Sequence, residues 1–212
     1  MSPLPIVYLG PSLSRTEART ILSADFRPPL RSGDLEALPC YTVVGIVDGV
    51  LDAQSRLRPC EAIHALGRGI RLFGAASTGA LLAAQLRTTG FVGIGRIFKL
   101  VALHPDVADD LVAVMYAEHD DTALTEPLVN AVLAFLENRN LADRRPVGEV
   151  IAALRTIPLH ERTSIAVESR LQSLFPTTEY ISHHPTFRNY KAEDARLLLH
   201  QLKRGSPILS PW

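Results

Sequence analysis

Short apolar runs alternate with amphipathic stretches over the first 90 residues. The runs at 5–9, 41–47 and 70–73 have the length and composition of buried strands. Ser14 with Glu17 three residues later marks a helix start, and a second helix is expected over 59–67. Alternating strands and helices favour parallel strands joined by right-handed crossovers. The pattern predicts an α/β fold with a small parallel sheet and crossover helices.

Beyond this region the apolar positions follow helical spacing. Helices are expected over five stretches, namely 107–116, 125–135, 147–157, 165–174 and 191–202. Asp109 and Asp110 are expected on a solvated helix face, and His183-His184 in a polar loop without metal-ligand spacing. We expect an α/β core over 1–138 and a helical C-terminal extension over 139–212, packed on the core.

Polar or glycine residues follow three of the predicted strands. Gly10-Pro11, Asp48-Gly49 and Ser77 stand directly after them. The carboxyl ends of parallel strands meet at one edge of a sheet, where ligands bind in open α/β folds. We therefore expect these residues to gather there. The alternative for Asp48 is that it only shapes a turn with Gly49.

Ser77 stands at the corner of a predicted strand–turn–helix unit. The stretch 74–86 reads G-A-A-S-T-G-A-L-L-A-A-Q-L, with a helix-forming run after the serine. It is similar to the nucleophile elbow G-x-S-x-G, with Ala75 in place of the first glycine. A serine before a helix is also the common N-cap residue. Both interpretations stay open at this point.

Composition narrows the class of protein. The 212 residues carry no net charge, which does not favour nucleic-acid binding, and no apolar stretch has the length of a membrane span. No signal peptide precedes the first strand, so we expect a cytoplasmic protein. Cys40 and Cys60 are then expected to be reduced, with neither a disulfide framework nor a metal site, and no cofactor is expected. Cys60, beside Arg58 at a helix start, is either a reactive thiol or an ordinary buried small residue.

Seven motifs, in order and spacing, resemble the TfuA family between about Tyr8 and Asn130. They are Y-L-G-P-S-L (8–13), R-P-P-L-R-S-G-D (27–34), V-G-I-V-D-G-V (44–50), F-G-A-A-S-T-G-A-L (73–81), G-F-V-G-I-G-R-I-F (90–98), D-D-L-V-A-V (109–114) and E-P-L-V-N (126–130).

The resemblance implies an accessory protein to a YcaO enzyme in ribosomal peptide backbone thioamidation. TfuA proteins are understood to hydrolyse a thiocarboxylated ThiS-like sulfur-carrier protein and so deliver sulfide, using a hydrolase-like Ser–Lys site. The family serine falls on Ser77, with Cys60, Glu61 and Asp48 as further candidate catalytic residues. The candidate binding residues within the motifs are Gly10, Pro11, Arg27, Asp34, Gly79 and Asn130.

The sequence departs from the family pattern close to the serine. Gap-free spacing places Cys60 where the family has a basic residue, and only Glu61 of that motif is kept. A serine without a base is a weak nucleophile. Two roles therefore compete, a serine-type thiocarboxylate hydrolase with an altered Ser–Lys pair and a degenerate relative that binds YcaO or its peptide. A third, an unrelated small-molecule binder, fits the motif series poorly.

Overall fold

The computed structural model describes residues 3–117, 119–137, 146–174 and 188–205. The chain forms two compact units. The first combines residues up to Asp109 with those from Lys191 onward, and the second runs from Asp110 to Tyr190. The expected His183-His184 loop lies outside the described residues.

The elements of the described chain follow the order of the sequence. The strands are β1 Ile6–Tyr8, β2 Asp25–Arg27, β3 Val43–Ile46, β4 Arg71–Gly74, β5 Val92–Gly93, β6 Tyr116–Ala117 and β7 Thr122–Ala123. The helices are α1 Arg15–Ile21, α2 Pro59–Gly67, α3 Thr78–Gln85, α4 Gly95–Leu103, α5 Ala108–Val112, α6 Leu128–Glu137, α7 Val147–Leu154, α8 Ser164–Leu174 and α9 Tyr190–Arg204.

The first unit is built on a five-stranded parallel sheet in the order β2-β1-β3-β4-β5. The predicted α/β fold is confirmed. The predicted start of α1 is also confirmed, because the Ser14 hydroxyl accepts a hydrogen bond of 3.2 Å from the Glu17 N–H. Two strands of this sheet are not marked by an apolar run in the sequence, because β2 reads D-F-R and β5 has only two residues.

Helix α9 packs on this sheet although it is distant in sequence. Its residues Ala195, Leu198 and Leu199 share one buried cluster with Val7 of β1 and Ala18 of α1. Gly45 on β3 permits the close approach, since a Cβ at that position would lie 2.8 Å from side-chain atoms of two leucines, Leu198 and Leu202. The last described helix is therefore part of the hydrophobic core of the first unit.

The second unit departs from the predicted helices near its start. The helix predicted over 107–116 ends at Val112, and the chain then enters the β6–β7 hairpin, whose turn holds Asp121 at a φ of 59°. Asp109 is exposed, as expected for a solvated helix face, whereas Asp110 is half-buried and paired. Its carboxylate binds Arg155 Nε at 2.7 Å and Arg162 Nη2 at 2.5 Å, and the Arg162 side chain is buried.

Candidate active site at the carboxyl edge of the sheet

The strand register brings the predicted site residues to one edge. Tyr8, Ile46, Gly74 and Gly93 lie side by side on four neighbouring strands. The residues that follow them therefore leave the sheet at the same level. Direct hydrogen bonds join the segments that follow β1 and β3, as well as those that follow β3 and β4.

Asp48 joins the segment after β3 to the segment after β1. Its side chain is buried, and its Oδ2 accepts hydrogen bonds from the N–H groups of Gly10 at 2.9 Å and Ser12 at 3.1 Å. Its Oδ1 accepts a third from the Ser12 hydroxyl at 2.6 Å. The turn with Gly49 is thus only part of what Asp48 does, since the carboxylate also shapes the loop after β1.

The crevice between the ends of β1 and β3 is where the strand order reverses. In open α/β sheets such a switch point is the usual place for a ligand. Here residues 28–34, which we call the strap, cross it. Leu30 donates to the Asp48 carbonyl at 3.0 Å and accepts from the Val50 N–H at 3.0 Å, while Pro29 packs against Gly10. The protein's own chain thus lies across the ends of β1 and β3.

Glu61 holds the far end of the strap. Its carboxylate, 5% exposed, accepts hydrogen bonds from the Gly33 N–H at 2.7 Å, the Ser32 hydroxyl at 2.9 Å, and the backbone N–H and Nε of Arg58 at 3.1 Å each. Burial pushes the pKa of Glu61 up, but these hydrogen bonds outweigh it and lower that pKa to about 2. A carboxylate in this setting stays ionised and is a poor proton acceptor at neutral pH.

Residues 74–79, which we call the elbow, turn sharply from β4 into α3. Ala76 lies in the left-handed region at a φ of 63°, and the Ser77 N–H donates back to the Ala75 carbonyl at 2.8 Å. This is a γ-turn, a strained conformation for a residue other than glycine. Strain of this kind at a strand–helix corner is typical of functional sites.

Glycines allow the elbow to lie close against the sheet. A Cβ on Gly79 would stand 1.8 Å from the Ile46 carbonyl oxygen, and one on Gly74 would stand 2.1 Å from the Gly79 carbonyl oxygen. No side chain larger than hydrogen fits at either position without a backbone shift. The backbone contact explains why the stretch around Ser77 is composed of glycine and alanine.

The Ser77 hydroxyl does not cap its own helix. Ser77 is 5% exposed, and within the described residues its Oγ makes no hydrogen bond. The N-cap interpretation is therefore wrong as far as the side chain is concerned. The backbone N–H groups of Ser77 and Gly79 donate hydrogen bonds to the Val47 carbonyl, at 3.3 Å each.

Thr78 follows the serine and begins α3. Its hydroxyl donates to the Gly49 carbonyl at 2.8 Å, but its backbone N–H donates to no group of the described chain. In a nucleophile elbow the N–H of the residue after the nucleophile stabilises the oxyanion. The elbow thus presents a hydroxyl and an adjacent backbone donor, both without partners.

Cys60 lies in the first turn of α2, and its side chain is exposed. The helix starts after β3, so this turn lies at the same sheet edge as the elbow. Arg58, 70% exposed at its side chain, pairs with Glu61. The buried alternative for Cys60 is therefore wrong, and within the described residues Cys60 and Ser77 form no hydrogen bond with each other.

The other candidate binding residues serve different segments. Arg27 pairs with Asp25 at 2.9 Å, and the Asp34 carboxylate accepts from the Arg31 N–H at 2.8 Å within the strap. Pro11 is half-buried in the loop that Asp48 holds.

Asn130 belongs to the second unit. Its Nδ2 donates to Glu126 at 2.8 Å and its Oδ1 accepts from the Tyr190 N–H at 3.1 Å. Both bonds fasten elements of that unit to one another.

Sequence reasoning missed Asp194 on α9. Its buried carboxylate accepts hydrogen bonds from the N–H groups of Arg96 at 3.0 Å and Ile97 at 2.8 Å, at the start of α4. A Cβ on Gly95 would clash with that carboxylate, which explains the glycine. Burial raises the pKa of Asp194 to about 6, against the opposing effect of the two hydrogen bonds. The signal was not visible in the sequence, because almost a hundred residues separate the partners.

The described ranges also bear on metal sites and membrane spans. No group of three or more His, Cys, Asp or Glu residues there is placed to hold a metal ion. No helix within those ranges has both the length and the apolarity needed to cross a membrane.

Comparison with known proteins identifies the family. No curated protein matches the chain. The model of the TfuA family, described as TfuA-like protein, matches residues 48–163. The match begins at Asp48, covers the elbow, and extends past Asn130 to include Arg162. It spans more than half of the sequence, and the chain therefore belongs to the TfuA-like family.

Proposed function

We propose that this protein is the cytoplasmic accessory protein of a YcaO enzyme in ribosomal peptide thioamidation. In this role it hydrolyses the thiocarboxylated C-terminus of a ThiS-like sulfur-carrier protein and delivers the sulfide. Membership of the TfuA-like family supports a TfuA-type accessory role. The reaction, the carrier and the YcaO partner are the proposal.

The observation that carries the hydrolase proposal is the unpartnered pair at the elbow. The Ser77 hydroxyl and the Thr78 N–H make no hydrogen bond with the described chain, although both residues are only 5% exposed. The fold uses neither group: the hydroxyl is not sealed from solvent, and the N–H belongs to the first turn of a helix, where backbone donors have no intrahelical partner. Both are therefore free to bind a ligand. A hydroxyl beside a backbone donor suits attack on a carbonyl carbon.

The proposed reaction has two steps. Ser77 Oγ forms a bond to the thiocarboxylate carbon while the carbon–sulfur bond breaks, and the serine proton leaves with the sulfur as hydrosulfide. Water then cleaves the resulting serine ester, which regenerates the hydroxyl and leaves the carrier with an ordinary carboxylate. The Thr78 N–H stabilises the oxyanion in both steps.

The depth of the elbow favours a slender substrate. A folded surface cannot reach a hydroxyl on a residue that is 5% exposed, whereas an extended C-terminal tail can. The reacting group of the proposed carrier lies at the end of such a tail.

The decisive experiment incubates the purified protein with a thiocarboxylated carrier and follows the carrier by mass spectrometry, with sulfide measured in parallel. We expect wild type to convert the thiocarboxylate to a carboxylate and Ser77→Ala to leave it intact. Ser23→Ala is the matched control, since Ser23 is exposed in the loop between α1 and β2, at the opposite edge of the sheet. Equal conversion by wild type and Ser77→Ala contradicts the proposed nucleophile.

Cys60 is the competing sulfur nucleophile at this edge. Cys60→Ser and Cys40→Ser form a matched pair, because both thiols are exposed. If Cys60 takes part in sulfur handling, only its variant slows sulfide release. Equal rates for the two variants remove Cys60 from the reaction and leave Ser77 alone.

A scaffold role is the second candidate, and a specific observation favours it. Among the described residues no base is hydrogen-bonded to Ser77, and the nearby carboxylates of Asp48 and Glu61 are engaged in holding loops. In that case the protein binds YcaO or its peptide without hydrolysis. We expect wild type and Ser77→Ala to associate with a YcaO enzyme from the same organism at micromolar concentration, with no thiocarboxylate loss in either. Absence of association contradicts the scaffold.

A further inference from the structure

One peptide group links the loop after β1 to the elbow. The peptide between Val47 and Asp48 donates its N–H to the Tyr8 carbonyl at 3.2 Å. Its carbonyl accepts the N–H groups of Ser77 and Gly79 at 3.3 Å each. The orientation of this peptide plane therefore sets the position of the backbone that carries the Ser77 hydroxyl.

The Asp48 side chain holds the same peptide group in place. Its carboxylate binds three donors of the loop after β1, and the Asp48 carbonyl accepts the Leu30 N–H of the strap at 3.0 Å. Rotation of the 47–48 peptide would break these bonds as well as those to the elbow. Side chain and main chain at this residue are thus fixed together.

We propose that Asp48 is a positioning residue for Ser77, acting through the Val47–Asp48 peptide group rather than as a base. This inference rests on the proposed use of Ser77 as the nucleophile. The carboxylate orients the peptide, the peptide carbonyl holds the first turn of α3, and the first turn places the hydroxyl beside the Thr78 N–H. Displacement of a reacting group by about 1 Å can lower a rate by about a hundredfold, so such support affects catalysis directly.

The distinction from a base can be tested because asparagine can keep all three hydrogen bonds. Its carbonyl oxygen can accept both N–H groups in place of Oδ2, and its amide can donate to the Ser12 hydroxyl, which can act as acceptor. Asparagine cannot accept a proton from Ser77. A positioning role therefore predicts rescue by Asp48→Asn, whereas a base role predicts none.

The experiment compares Asp48→Ala, Asp48→Asn and Ser12→Ala with wild type in two assays. One is sulfide release from a thiocarboxylated carrier. The other is labelling of Ser77 by a fluorophosphonate probe, which needs no carrier. Asp106→Ala is the control, since it removes an exposed carboxylate in a turn that follows α4. Urea unfolding checks that each variant is folded.

We expect Asp48→Ala to slow both labelling and kcat by about tenfold or more, with KM nearly unchanged. Asp48→Asn should restore both rates to within a few-fold of wild type. Ser12→Ala, which removes one of the three hydrogen bonds, should have a smaller effect than Asp48→Ala. If Asp48→Ala does not fold, the comparison of Asp48→Asn with Ser12→Ala still carries the test.

Three outcomes overturn the inference. If Asp48→Ala is labelled at the wild-type rate and keeps the wild-type kcat, Asp48 does not position Ser77. If Asp48→Asn is as inactive as Asp48→Ala, Asp48 acts as the base. A wild type that neither is labelled nor releases sulfide contradicts both the inference and the proposed function. Labelling that follows the expected order without any sulfide release supports the inference and contradicts only the proposed reaction.

Discussion

The switch-point crevice and the elbow lie beside each other at one sheet edge. They differ in whether their polar groups are hydrogen-bonded within the described chain. At the crevice, the Asp48 carboxylate accepts hydrogen bonds from backbone N–H groups of the loop after β1, and the strap packs against Gly10. At the elbow, the Ser77 hydroxyl and the Thr78 N–H find no partner among the described residues. The fold therefore places its own strap at the usual ligand position of an open α/β sheet, and the two groups without partners lie one strand further along. The comparison locates the candidate chemistry between β3 and β4.

The largest effect is expected where the elbow touches the sheet. Gly79→Ala places a methyl group 1.8 Å from the Ile46 carbonyl oxygen, so α3 must move away from β3. We expect a loss of about 3 kcal/mol or more in the free energy of unfolding, measured by urea denaturation. Gly67→Ala is the control, since no atom lies within 4 Å of the added Cβ. Similar stabilities for the two variants would mean that the elbow is not held by this contact.

Some of this edge could be predicted from the sequence. Asp48-Gly49 and Gly10-Pro11 follow apolar runs long enough to identify as strands, and parallel topology then brings them together. The hydrogen bond from the Gly10 N–H to the Asp48 carboxylate confirms that prediction. The strap could be predicted only as extended chain, because its two prolines exclude a helix. They do not indicate that it crosses the ends of β1 and β3.

Other features depend on contacts that no local pattern encodes. Asp194 caps α4 from a helix almost a hundred residues away, and the two-residue strand β5 is defined only by its pairing with β4. The helix predicted over 107–116 was too long because residues 113–116 have a helix-compatible composition. The structure has a hairpin there instead, with Asp121 in its turn. The Ser77 side chain matched two patterns, and the structure bears on only one of them, since the hydroxyl does not cap α3.

Asp194, which binds the start of α4, gives a second test of stability, by pH. Its pKa of about 6 in the folded protein is above its ordinary value of 3.8, so the folded state binds the proton more tightly than the unfolded state. Stability should therefore rise as the pH falls from about 6 to about 4, by up to about 3 kcal/mol. Urea unfolding across this range should show the slope in wild type and not in Asp194→Asn. An unchanged slope in the variant would assign it to another group.

Glu61 tests the crevice side and should show the opposite slope. Its pKa of about 2 is below the ordinary value of 4.5, so its contribution is fully present above pH 4.5 and is lost as the pH falls towards 2. We expect a contribution of about 2 kcal/mol after allowance for solvent screening at the exposed Arg58. Glu61→Gln should be less stable at pH 7 and lose less stability on acidification. Faster hydrogen exchange at Gly33 in the variant would place the effect at the strap.

The smallest effects compare two serines at the same edge. The buried Ser12 hydroxyl donates to the Asp48 carboxylate at 2.6 Å, so Ser12→Ala removes a charge-assisted hydrogen bond, at an expected cost of about 1.5 kcal/mol. The Ser77 hydroxyl has no such bond, so Ser77→Ala should change the free energy of unfolding by less than about 0.5 kcal/mol. Urea denaturation of both variants at pH 7 measures the difference directly. A group that the fold does not need for stability, at a strained corner, is available for chemistry. A cost for Ser77→Ala as large as that for Ser12→Ala would mean that the hydroxyl serves the fold, and the contrast between crevice and elbow would disappear.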